Sequence, residues 1–188
     1  MTSLVDKERL LYEEVFATMG NYGEYSPGEK YAKMFVEMAQ PPQDAAILDA
    51  GTGSGKGALA LARLGFRVSC VDLDDFRIDE AKAFPFERAC LWDYATLDPP
   101  YYAYCCDVLE HLPKEFTMLV VSRLLAAVTR GVFFSIALMP DNFGVFVGQP
   151  LHQTVENFTW WRDRLATLGH LVECRDLLHA GVYYVEPR

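Results

Sequence analysis

Two segments of the chain carry side chains suited to exchanging protons or holding a cation. The run Cys106-Asp107-Val108-Leu109-Glu110-His111-Leu112-Pro113 contains two carboxylates and an imidazole, and His152 follows 41 residues after His111. A neutral imidazole is well matched to taking a proton near pH 7. His152 is therefore the first candidate general base and His111 the second, while His170 and His179 read as ordinary turn residues. Two carboxylates with two imidazoles also form a donor set that suits a divalent cation, although no metal is assigned from the sequence.

A third segment points to a ligand. Ile47-Leu48-Asp49-Ala50 is a buried-strand pattern that ends in an acid and turns through Gly51-Thr52-Gly53-Ser54-Gly55-Lys56-Gly57 toward a helix. Glycine permits such a turn and lets a ligand approach the main chain. A phosphate-binding P-loop would need glycine at Ala50 and a hydroxyl at Gly57, so that reading fails twice. A dinucleotide fingerprint would need glycine at Lys56. Asp72 closes the next strand, 21 residues after Gly51, where a carboxylate can accept two ribose hydroxyls. Asp74 and Asp75 beside it read as turn acids.

These residues need a scaffold, and strands and helices alternate along most of the chain. Strands are expected over 45–50, 67–72, 86–92, 101–106, 131–138, 171–177 and 181–186. Helical patterns cover 3–20, 27–39, 56–64, 76–83, 114–129 and 155–168. Ser26 with Glu29 forms a capping box, and Pro27 stands at the first helical position, where its missing N–H costs nothing. Several strands are apolar throughout, as in a parallel sheet with helices on both faces. Only Leu178-His179-Ala180 separates the last two strands, so they form a hairpin. The expected fold is α/β: a doubly wound, mostly parallel seven-stranded sheet with a C-terminal antiparallel hairpin. One domain spans 1–188, with N-terminal helices over 1–40 capping the site on a Rossmann-like core over 41–188.

The acid followed by GxGxG resembles the cofactor loop of class I S-adenosylmethionine-dependent methyltransferases. Asp107-Val108-Leu109-Glu110-His111-Leu112-Pro113 is similar to the DVLEHLP signature that follows the fourth strand in many small-molecule and sugar methyltransferases. Both motifs stand in the family's order, and the resemblance covers roughly residues 26–185. It implies S-adenosyl-L-methionine as cofactor, with Asp49, Gly51, Thr52, Gly53 and Gly55 forming the loop that holds it. Asp72 and Leu73 would meet the ribose, Trp92 and Asp93 the adenine, and Cys106 would close the fourth strand beneath. The family usually has an acid at the start of that strand, where this chain has Pro100-Tyr101. Asp98-Pro99-Pro100-Tyr101 spells the DPPY of amino-methyltransferases, but it precedes the strand and reads as a turn. The expected reaction is methyl transfer to a small-molecule or sugar acceptor, with oxygen the favoured nucleophile. Two alternatives stay open. Asp107, Glu110, His111 and His152 are similar to the metal site of small-RNA 2′-O-methyltransferases, with Asp107 where that family has glutamate. A non-catalytic module that binds S-adenosylmethionine is the other.

The charge balance bears on partners. With 26 acids against 17 bases the chain carries a formal charge of −9, and no basic face for a long DNA or RNA footprint is visible. No apolar run approaches the ~18–20 residues of a membrane span, and the first residues lack the apolar core of a signal peptide. Five cysteines, an odd number and mostly in apolar strands, fit free thiols in a reducing cytoplasm. The sixteen residues from Met139 to Thr154, rich in Gly, Pro and aromatics, form the expected acceptor loop, with Phe158, Trp160 and Trp161 as further candidate walls.

Overall fold

The computed structural model describes residues 3–19, 22 and 24–188. Five helices, α1 (Leu4–Thr18), α2 (Pro27–Ala39), α3 (Lys56–Arg63), α4 (Lys114–Ala126) and α5 (Phe158–Leu168), surround one sheet. Its strands are β1 (Ala46–Ala50), β2 (Arg67–Asp72), β3 (Phe86–Arg88), β4 (Tyr102–Cys106), β5 (Gly131–Ala137), β6 (His170–Asp176) and β7 (Ala180–Glu186). Their order across the sheet is β3-β2-β1-β4-β5-β7-β6. The first five run parallel, while β7 pairs antiparallel with both β5 and β6. This is the expected mostly parallel, seven-stranded Rossmann-like sheet with its C-terminal hairpin.

The two-residue alternation of strands sends side chains to two separate cores. Leu48, Ala103, Cys105, Phe134 and Ile136 face α4 and α5, where Val120, Leu124, Trp161 and Leu165 are buried. Ile47, Tyr102, Tyr104 and Phe133 face α2 and α3, where Phe35 and Leu61 are fully covered. On that second face the backbones of α2 and α3 come close. A Cβ on Gly28 would sit 3.2 Å from the Gly57 Cα, and the Tyr104 hydroxyl donates to the Gly28 carbonyl at 2.6 Å. The chain winds outward from β1 through β2 to β3, then returns to β4 and β5 on the other side of β1. A crevice therefore opens between β1 and β4 at their carboxyl ends, the usual ligand site of such sheets.

Four elements differ from the sequence expectation, one of them α4, which ends at Ala126 rather than at 129. The third strand ends at Arg88, because Cys90-Leu91-Trp92-Asp93 folds into a turn, with Asp93 N–H donating to the Cys90 carbonyl at 3.0 Å. Leu91 and Trp92 then pack on the sheet face as core. Residues 76–83 form only a short 3₁₀ turn, Asp79–Ala83. The last helix begins at Phe158 rather than 155, since the Asn157 side chain accepts the Trp160 N–H and starts the helix there. The expected end of the first helix at Gly20, together with Asn21 and Gly23 of the following loop, lies outside the described residues.

Candidate functional site

A cavity of about 400 Å³ occupies the crevice above β1 and β4. Asp49, Gly51, Thr52, Gly53, Asp72, Leu73, Trp92, Cys106, His111 and His152 all line it. Gly55 and Asp93 do not. Gly55 starts α3 with φ +77°, and a Cβ there would lie 2.4 Å from the Ala81 Cβ, so its role is backbone packing. Asp93 is exposed at the end of its turn, beyond a third strand that stops four residues short of the expected end. Trp160 and Trp161 also lie off the cavity, and Trp161 is fully buried in the α4–α5 core.

The glycine loop is shaped by positive φ and by close contact. Gly51 has φ +73°, and a Cβ on it would lie 2.4 Å from a Val108 methyl. Gly51 N–H instead donates to the Val71 carbonyl at 2.9 Å, which ties the turn to β2. Around Gly53, at φ +50°, the space a side chain would take is open toward the Phe16 ring. Beneath the loop Asp49 is buried and accepts the Thr52 hydroxyl at 2.7 Å; burial pushes its carboxyl up to about 7. Asp72 accepts the Gly53 N–H at 2.8 Å and the Leu73 N–H at 2.7 Å. Burial nevertheless raises the Asp72 carboxyl to about 6.

The opposite end of the cavity holds the two histidines. Asp107, directly after β4, adopts φ +61°, a conformation uncommon for a residue with a side chain. It brings its carboxylate within 3.9 Å of His111 Nε2. Burial works against its charge, but the His111 imidazole holds the carboxyl below its ordinary value. His152 Nδ1 lies 2.6 Å from the Met139 carbonyl. A carbonyl only accepts, so Nδ1 carries the proton and Nε2 keeps a free lone pair. Burial, and next the neighbouring His111, lower the His152 pKa from 6.5. The two imidazoles meet edge to face with centroids 4.6 Å apart. One atom from each of Asp107, His111 and His152 falls within 4.8 Å of the others. Glu110 is not one of those three, although its carboxyl lies beside that of Asp107. It is completely buried, and one carboxyl oxygen accepts the Ala137 N–H. Burial, then the nearby Asp107 charge, push its pKa well above the usual carboxylate range.

Several wall residues are not apparent from the sequence motifs. Glu8, Tyr12 and Phe16 recur every four residues on α1 and line the cavity from above. Only Val15 of that helix is fully buried, so α1 spans the opening rather than packing in the core. Asp141 accepts the Gly144 N–H, the Leu151 N–H at 2.8 Å and the His152 N–H at 3.0 Å. It thereby gathers both ends of the loop after β5 and sets His152 in place. Asp98 to Tyr101 line a separate groove at the amino end of the sheet, remote from these groups.

No family model matches the chain. It is 34% identical over 103 residues to an uncharacterized methyltransferase, YodH, of Bacillus subtilis, covering 54% of this chain and 40% of the relative. It is 28% identical over 111 residues to a ubiquinone biosynthesis O-methyltransferase of Thiobacillus denitrificans, covering 54% of this chain and 48% of that one. The chain thus spans less than half the length of these curated relatives. Among solved structures, it superposes with a TM-score of 0.74 on a Burkholderia thailandensis 1,6-didemethyltoxoflavin-N1-methyltransferase holding S-adenosylhomocysteine. The overlap covers 95% of this chain and 86% of that one at 16% identity. The fold is that of the Rossmann-like methyltransferases. Among the described residues no helix is long and apolar enough to cross a membrane, and all five cysteines are free.

Proposed function

We propose that this chain transfers the methyl group of S-adenosylmethionine to a small-molecule or sugar acceptor, with oxygen the favoured nucleophile. The observation that carries the reading is His152. Its Nδ1–H is spent on the Met139 carbonyl, and its ring lines the same cavity as the glycine loop and Asp72. The cavity fits a cationic cofactor, since acids line it at both ends and the open side of Gly53 leaves room against the loop. Relatives and structural neighbours that are methyltransferases support the same reading.

When bound, S-adenosylmethionine supplies an electrophilic methyl whose bond to sulfur breaks as the acceptor oxygen bonds to carbon, the sulfur keeping the electron pair. Asp72 would accept the ribose hydroxyls through lone pairs left beside its two backbone contacts. The loop amides and Thr52 would meet the polar end of the cofactor, and Trp92 with Leu91 would cover its base. His152 Nε2 would take the proton lost from the acceptor hydroxyl, aided by a pKa that keeps the ring neutral at pH 7. Asp107 would then stabilise the charged pair of imidazoles.

Isothermal titration with S-adenosylmethionine, followed by label transfer from its methyl group to a panel of phenols, hydroxylated heterocycles and sugars, tests this. Binding without any transfer would favour the non-catalytic module. A second reading is metal-assisted transfer, including to a nucleotide or RNA 2′-hydroxyl. The proximity of Asp107, His111 and His152 favours a bound divalent cation. It predicts that chelation abolishes turnover and that manganese or magnesium restores it.

A further inference from the structure

Charge and ring chemistry at the cavity narrow the acceptor, given the methyl-transfer reading above. Five acids line the cavity, namely Glu8, Asp49, Asp72, Asp107 and Asp141, and among the described residues not one Lys or Arg does. An acceptor carboxylate or phosphate beside His111 and His152 would find no Lys or Arg partner and would face Asp107 and Asp141, a like-charge contact that disfavours it, whereas the cofactor's own carboxylate would meet the glycine-loop amides at the other end. A sulfonium, or a neutral acceptor, meets no such penalty.

The walls of the acceptor end are aromatic. A row of four rings crosses the cavity from the glycine-loop end, where Phe76 stacks on Phe16 with centroids 4.4 Å apart, to the acceptor end, where Tyr22 meets Phe16 at 5.1 Å and Phe143 at 5.5 Å. Tyr12 joins them beside His111. Several polar groups at this end are engaged already. Asp141 accepts three backbone N–H groups, Tyr12 is bonded to His111, and His152 Nδ1 is held by Met139. A sugar would bring several hydroxyls to a wall that leaves them few partners, whereas a flat ring would bury against Tyr22 and Phe143.

We infer that the acceptor is a planar aromatic hydroxyl compound bearing no carboxylate or phosphate, seated between the Tyr22–Phe143 pair and the His111–His152 pair. This rests on the methyl-transfer reading but selects within it against sugars, nucleotides and aromatic acids.

The test is ligand-observed NMR on the whole protein saturated with S-adenosylhomocysteine, using 2-naphthol, 3-hydroxy-2-naphthoate, 2-naphthyl phosphate and methyl glucoside. The expected order places 2-naphthol roughly tenfold or more tighter than either anion, with the glucoside weakest. Phe143→Ala should weaken 2-naphthol while leaving S-adenosylhomocysteine affinity unchanged. Equal or tighter binding of an anion, tighter binding of the glucoside, or no binding of 2-naphthol overturns the proposal. So does a gain of anion binding on adding manganese, which would transfer support to the metal-assisted reading. Failure of the protein to bind S-adenosylhomocysteine at all would instead overturn the methyl-transfer reading beneath it.

Discussion

The Tyr12 hydroxyl lies 2.8 Å from His111 Nδ1, joining the helix that spans the cavity to the segment after β4 across 99 residues of sequence. Burial, and then the acids and Tyr22 around it, push the Tyr12 phenol well above its ordinary pKa of 10, so it stays protonated. As a donor to Nδ1, Tyr12 leaves the His111 proton on Nε2, facing Asp107. His111 is then a hydrogen-bond donor in the cavity, and the free imidazole lone pair belongs to His152. For His111 to ligate a metal through Nε2, this bond must reverse, with Tyr12 accepting from Nδ1–H.

Tyr12→Phe separates these arrangements. Under metal-free transfer, kcat/KM should fall roughly two- to tenfold, the worth of one neutral hydrogen bond. Under metal-assisted transfer, loss of this outer contact should weaken metal affinity about 10–100-fold. Steady-state kinetics with and without manganese, beside a metal titration, reads both. A variant identical to wild type in every measure would leave Tyr12 with a packing role alone.

His152→Ala should lower kcat by roughly 10²–10⁴ with S-adenosylmethionine affinity nearly intact. The wild-type pH profile carries a sign. The base must be neutral, so activity is lost as pH falls through the His152 pKa and levels off above it. Because burial and His111 lower that pKa from 6.5, the acidic limb should lie below pH 6.5 and vanish in the variant. Turnover of His152→Ala at the wild-type rate under saturating acceptor would exclude it as the base.

Asp72→Ala should weaken S-adenosylmethionine by roughly 1.5–3 kcal/mol, the range for a hydrogen bond to a charged group. Its two neighbours behave differently from simple turn acids. Asp75 binds the Arg77 guanidinium through two contacts of 2.7 and 2.9 Å, and Arg77 is buried. Asp75→Ala should therefore cost about 1.5–3 kcal/mol of stability in a denaturant melt, with cofactor affinity changed only through that loss. Asp74, largely covered but paired with the exposed Arg88, does not line the cavity, so its replacement by alanine should leave cofactor affinity little changed.

Cofactor affinity should itself depend on pH. Burial raises Asp72 to about 6 and Asp49 to about 7, so both are partly protonated in the free protein just below neutrality. A cation and a pair of ribose hydroxyls favour the ionised carboxylates. Binding should therefore release protons, and affinity should drop as pH falls from 8 to 5, by up to about tenfold per unit below pH 6 for a single group. Calorimetry in buffers of different ionisation heat counts the protons directly. Constant affinity across that range would mean that the carboxylates do not sense the ligand.

What the amino-acid sequence determined by itself was whatever a few neighbouring residues encode. Gly51, Gly53 and Gly55 all adopt positive φ, as their spacing between a strand and a helix required. Ser26 caps α2 by accepting the Glu29 N–H at 3.2 Å, and the apolar runs placed the strands to within a residue or two over most of the sheet. The antiparallel hairpin followed from a linker too short for a crossover. Tertiary structure alone decided which side chains meet in the cavity. Tyr12 and His111 carry no mutual signal across 99 residues, and the Glu8-Tyr12-Phe16 stripe looks like any exposed helix face until α1 lies across the opening. The motif pattern placed Asp93 at the adenine, as it placed Asp72 at the ribose. It is exposed, in a turn whose Leu91 and Trp92 are buried on the sheet beyond the end of β3. Local geometry is fixed by steric and capping preferences acting over a few residues. A cavity wall is fixed by which distant apolar faces pack against one another, and that competition is settled only when the whole chain folds.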